Sequence, residues 1–107
     1  MSSIEDTQVI DAIGLEEESG TIVLSIIDGW PWDDEPRHLQ ALQDKLNAYF
    51  GFVESGQINE AYPDAVGQPL RIDVVSKFSL PSAADAFMAK ASEVASQLGI
   101  EVTARTV

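Results

Sequence analysis

The chain has 107 residues, 45% of them hydrophobic, no cysteine and a formal net charge of −12. That size and composition fit one globular domain with its own core, while the missing thiols exclude disulfides, thiol nucleophiles and Cys-based zinc. Charge is uneven, with ten acids and no Lys or Arg before Pro36 and eight acids against six bases after it, so nothing supplies the basic cluster that nucleic-acid binding requires.

The opening residues MSSIEDTQVI hold neither the basic region nor the apolar h-region of a signal peptide. The longest apolar run, TIVLSII, is too short to cross a bilayer. The expectation is a soluble, cytoplasmic protein without membrane contact.

In chain order, residues 9–15 (VIDAIGL) read as a short strand interrupted by Gly14, and residues 16–20 as a turn punctuated by Ser19-Gly20. Residues 21–28 (TIVLSIID) are β-branched and apolar on both faces, as a central strand would be. Together they make a β-hairpin. The following GWPW ends the strand, because Gly29 and Pro31 support neither a ladder nor a helix.

From Pro36 a helical period takes over. Leu39, Leu42, Leu46, Tyr49, Phe50 and Val53 share one stripe. Asp33, Asp34 and Glu35 precede it, where carboxylates complement the helix dipole and cap free N–H groups, and Gly56 is the expected left-handed stop. Residues 57–69 read as a loop by their Pro, Gly and Asp content, with Ile58 and Tyr62 tucked inward.

Residues 70–78 (LRIDVVSKF) alternate, placing Leu70, Ile72, Val74 and Phe78 on one face and Arg71, Asp73 and Lys77 on the other. Next, SLPSAADAFMAKASEVASQLG predicts a second helix. Ser82 and Asp85 form a capping-box pattern, and Ala84, Phe87, Met88, Ala91, Val94, Ala95 and Leu98 make the apolar stripe that Gly99 stops. The final IEVTARTV alternates again as a strand.

The order ββαβαβ predicts a single α+β domain over residues 1–107. It is a two-layer sandwich in which both helices cover one face of a four-stranded antiparallel or mixed sheet. Arg71, Asp73, Lys77, Glu101, Thr103 and Arg105 fall on the open face, where opposite charges can pair across strands.

VIDAIG near the start, WDDE with HL shortly after, LQDKLNAYF, FVESGQI, YPDA and LRIDVVSKF together resemble a bacterial family of uncharacterised proteins, DUF6572. The resemblance spans nearly the whole chain. It implies a small bacterial protein and brings no catalytic residue with it. One departure is GWPW, which adds a second tryptophan and a proline where a plainer turn is expected.

Candidate site residues concentrate between Trp30 and His38. Asp34 and Glu35 stand four and three residues before His38, a spacing at which helical side chains converge, and carboxylates with one imidazole are plausible ligands for a divalent metal. A zinc site needs more ligands than one histidine and these acids readily provide, so an acidic helix start with His38 packed nearby is the plainer reading. No metal or cofactor is therefore assigned.

Alternation across Pro31 predicts one buried and one exposed indole. The resemblance, whose motif includes Trp32, implies that Trp32 is the buried one, leaving Trp30 at least partly exposed, where it can anchor a protein partner. Tyr49 and the Tyr62-Pro63 pair read as structural, each burying a ring, and Asn47 turns away from the leucine row. No nucleophile elbow, phosphate loop, dinucleotide fingerprint or metalloprotease helix is present, which points away from catalysis.

The leading expectation is a non-enzymatic domain that presents an acidic surface to a basic protein partner. Trp30, Trp32, Asp33, Asp34, Glu35 and His38, with the hairpin acids Glu16, Glu17 and Glu18, form that surface; an immunity protein against a toxin is its closest analogy. Two alternatives stand beside it. One is a metal-dependent or acid–base enzyme centred on Asp33, Asp34, Glu35 and His38; the other is a homodimer joined through the open sheet face or an edge strand.

Overall fold

In a computed structural model, which describes residues 4–107, β-branched residues crowd into a central strand, β2 (Thr21–Asp28). Ile22, Leu24, Ile26 and Asp28 alternate onto its buried face. β1 (Ala12–Glu16) returns antiparallel against it through a turn that uses Gly20 at φ 72°. β3 (Leu70–Ser76) and β4 (Ile100–Thr106) extend the sheet in parallel, giving the order β1-β2-β3-β4.

Parallel neighbours need crossovers, supplied by α1 (Glu35–Glu54) and α3 (Ala83–Gln97). Successive crossovers of one hand in one direction place both helices on the same face. The core between the layers joins Leu24, Ile26, Ile72 and Val74 to Leu42, Leu46, Tyr49, Ala91 and Ala95. The α+β two-layer sandwich and its mixed sheet thus match the sequence pattern. No helix among the described residues is long and apolar enough to cross a membrane.

Several details depart from the expected pattern. Val94, placed on the apolar stripe of the second helix, is 39% exposed, and Asp73, placed on the open face, is buried. The first strand begins at Ala12 rather than at residue 9, because the carbonyls of Asp6 and Val9 bond to the buried ammonium of Lys45 at 2.5 and 2.8 Å instead of to a ladder. Residues 57–69 hold a short helix, α2 (Gln57–Ala61), and a 3-10 turn (Pro63–Ala65). Ile58 pins α2 inward.

β3 stops at Ser76, and Phe78 stays 40% exposed beyond its end. Lastly, Ser82 makes no side-chain cap. It is already helical at φ −58°, and its carbonyl accepts the Asp85 N–H.

Two ion pairs form on the open sheet face. Glu16 meets Arg71 at 2.9 Å, and Asp73 accepts from Thr103 at 3.2 Å and from Arg105 at 3.0 Å. The Arg71 guanidinium, bonded to the Glu16 carboxylate, holds that carboxyl below its usual range, with a further hydrogen bond from Ser19.

Candidate functional site

The site forms where β2 ends. Asp28 is the last residue of β2 and lies on its inward face, so its carboxylate enters the interior rather than solvent. Burial of a carboxylate is costly unless it is paired and hydrogen-bonded. Both oxygens are used. Oδ1 accepts the Trp30 N–H at 3.1 Å, and Oδ2 lies 2.6 Å from His38 Nε2. The Asp28 carbonyl also accepts the Lys77 N–H at 2.9 Å, tying β2 to the chain just beyond β3.

His38 reaches Asp28 because it heads the buried stripe of α1, which continues through Leu42, Lys45, Leu46 and Tyr49. The helix entrance is fixed locally. Asp34 is the N-cap, its side chain accepting the Arg37 N–H at 3.3 Å, and Pro36 occupies the first turn.

The two tryptophans frame the imidazole. Trp32 stacks on it with centroids 3.5 Å apart and planes 14° apart, and Trp30 meets it edge-on at 5.5 Å. Both indoles are half-buried. Trp30, expected to be at least partly exposed, is so, and its buried part packs against the hydrophobic core. Trp32, expected to be buried, is only half so, because it rests on the polar imidazole at the edge of the layer. The Arg37 guanidinium lies 5.4 Å from the Trp30 ring centre and pairs with Glu5 at 3.3 Å.

A hollow of about 280 Å³ opens beside this cluster, lined by Trp30, Pro31, Asp33, Asp34, Arg37 and His38. The structure therefore gathers Trp30, Trp32, Asp33, Asp34 and His38. Glu35 is exposed in the first turn and does not line the hollow. Glu16 closes β1, with Glu17 and Glu18 exposed in the turn after it. That turn sits at the opposite end of β2 from the tryptophan loop, eight residues away, or roughly 25 Å by strand rise.

Among the described residues no group of three or more His, Cys, Asp or Glu is placed to hold a metal. His38 turns inward to Asp28, while Asp34 and Glu35 remain exposed on the helix entrance.

Sequence reasoning missed Asp28 as the partner of His38. The signal available was strand alternation, since Asp28 continues the inward row of Ile22, Leu24 and Ile26. It also missed Lys45, which is fully buried and bonds to Asp11 at 3.0 Å. Asp11 Oδ2 in turn accepts the Ile27 N–H at 2.9 Å.

A family model described as a family of unknown function, DUF6572, matches residues 2–107, and the chain belongs to that family. No curated protein and no solved structure matches it.

Proposed function

We propose that the protein is a non-enzymatic binding domain whose acidic surface engages a basic protein partner. One observation carries the reading: Asp33, Asp34 and Glu35 are exposed beside two half-buried tryptophans on a loop pinned by the buried Asp28–His38 bond. Aromatic anchors next to charge on a rigid support are what interface hot spots use. The net charge of −12 adds long-range attraction toward a basic surface. An immunity protein that blocks the basic groove of a toxin has this arrangement of charge, and the same reading sets the protein in a bacterial cytoplasm.

The test is capture from a lysate of the native host, using the intact protein and the charge-neutral variant D33N/D34N/E35Q. A basic partner held at low salt, released as salt rises and absent from the variant is the expected result. Equal capture by the variant, or a partner without basic character, would sink the reading.

A second reading, an acid–base enzyme, draws on the Asp28–His38 pair, because a carboxylate that orients an imidazole is how a general base is prepared. It requires a substrate to reach the ring beneath Trp32. A single-turnover activity whose pH profile changes in His38→Gln is the observation that would favour it.

A further inference from the structure

Among the described residues three buried side-chain atoms have no hydrogen-bond partner: Trp32 Nε1, His38 Nδ1 and Ser76 Oγ. They gather at one place. Ser76 is the register partner of Asp28, Asp28 holds His38, and Trp32 stacks on His38. Unpaired buried polar groups are uncommon in folded proteins, and a local group of them calls for a reason.

The direction of the unmet bond at His38 follows from its neighbour. A carboxylate only accepts, so the hydrogen of the 2.6 Å contact sits on Nε2. With a single proton on the ring, at Nε2, Nδ1 offers a lone pair whose match is an N–H or O–H donor; a second proton would turn Nδ1 into a donor and close it to one. Trp32 covers one face of the ring, and with its own N–H unpaired this cover is held by stacking rather than by a hydrogen bond.

The surroundings narrow the donor to a cation. Asp33 and Asp34 line the hollow and repel anions. Trp30 offers a ring face on which the chain's own Arg37 guanidinium already rests at 5.4 Å. At about 280 Å³ the hollow is below the usual range of small-molecule pockets and suits the end of one side chain. A planar guanidinium stacks on an aromatic ring and binds carboxylates through paired N–H groups, which an ammonium does not do.

We propose that this hollow receives one arginine side chain of the basic partner, with its guanidinium on Trp30, its charge met by Asp33 and Asp34, and an N–H directed to His38 Nδ1 as Trp32 moves aside. The proposal rests on the acidic-surface reading and names the group by which the partner is recognised. Arg37 occupies part of the same surface in the free protein and competes with the incoming side chain.

The test uses the full chain and N-acetyl-arginine methylamide, with the citrulline counterpart as its neutral isostere. The readouts are tryptophan fluorescence and the imidazole ¹⁵N resonances of the one histidine. The arginine probe should give a saturable shift of Nδ1 and a fluorescence change, and the citrulline probe neither. Asp33→Asn should weaken the arginine probe about fivefold, the size of one exposed ion pair, and Arg37→Gln should tighten it.

No saturable shift, an equal response to citrulline, or undiminished binding in both Asp33→Asn and Trp30→Leu would overturn the proposal. If a partner is still captured at low salt by protein that ignores the arginine probe, the hollow alone is refuted. If capture fails as well, the acidic-surface reading falls with it.

Discussion

Asp28 closes the inward row of β2 and His38 opens the inward row of α1, and their side chains meet at 2.6 Å with each 1% exposed. The pair joins strand to helix across the tryptophan loop. Removing one member of a buried pair strands the other, so His38→Ala should destabilise the fold by about 3 kcal/mol. Asp28→Asn should cost less, because an amide oxygen still accepts from Nε2–H. Denaturant unfolding followed by tryptophan fluorescence measures both, and the double variant D28N/H38A should cost less than the sum of its parts. Strict additivity would mean that the two residues do not share one interaction.

Lys45 secures the segment before β1. It is fully buried on α1, and its ammonium bonds to the Asp6 and Val9 carbonyls and to the Asp11 carboxylate. Ile4, at the start of the same segment, is also fully buried and belongs to the core. Lys45→Ala should therefore cost about 3 kcal/mol and release residues 4–11 from the body. Hydrogen exchange reads this locally, because the Ile27 N–H is protected by Asp11 Oδ2. Its exchange should accelerate more than that of amides bonded within the β2–β3 ladder. Uniform acceleration would show global weakening in place of local release.

The backbone elements were legible in the sequence because each carries a clear period. Ile72 and Val74 of the two-residue alternation are buried, Leu70 is partly so, and the helical stripe through Leu42, Leu46, Tyr49 and Phe50 falls inward as its spacing dictates. α2 was not legible. Gln57–Ala61 spans less than two turns and buries Ile58 alone, so no stripe could form.

The site was half legible. Local spacing drew attention to Asp34 and Glu35 as neighbours of His38, yet the partner lies ten residues upstream on a strand, where only the packing of two layers brings it close. Lys45 stands in the helix stripe beside Leu46, but its long stem ordinarily carries the ammonium back to water. The Asp6 and Val9 carbonyls and the Asp11 carboxylate of a returning segment make its burial tolerable.

Tyr49 gives the fold an alkaline limb. Its hydroxyl donates to the Ser25 carbonyl at 2.5 Å and accepts the Asp11 N–H at 2.8 Å. Burial pushes the phenol well above its ordinary 10.0, the Asp11 N–H opposes this, and the Asp11 charge adds to it. The folded chain thus keeps the neutral phenol where the unfolded chain ionises. The stabilisation is whole below the unfolded value and is lost as pH rises above it, at up to about 1.4 kcal/mol per pH unit. Unfolding free energies measured from pH 9 upward should fall with that slope, and Tyr49→Phe should remove this contribution to the slope. Native-state phenolate absorbance from Tyr49 near pH 10 would contradict it.

The two groups of acids expected to form one surface lie at opposite ends of β2. Glu16, Glu17 and Glu18 sit at the hairpin turn, while Asp33, Asp34 and Glu35 sit at the tryptophan loop. Their separation of roughly 25 Å by strand rise exceeds the screening length of about 8 Å at physiological ionic strength. Each group therefore acts independently on a partner that docks at one end. Glu16 is moreover engaged by Arg71 at 2.9 Å, which reduces the charge it presents outward. On the proposed function, association with a basic partner should slow markedly in D33N/D34N/E35Q and little in E17Q/E18Q, and the salt dependence of the association rate should flatten only in the first variant. Stopped-flow tryptophan fluorescence across a series of salt concentrations makes the comparison. If the hairpin variant loses the salt dependence and the loop variant keeps it, the partner docks at the turn, and Trp30 and Trp32 serve only to hold the end of the sheet to the helix.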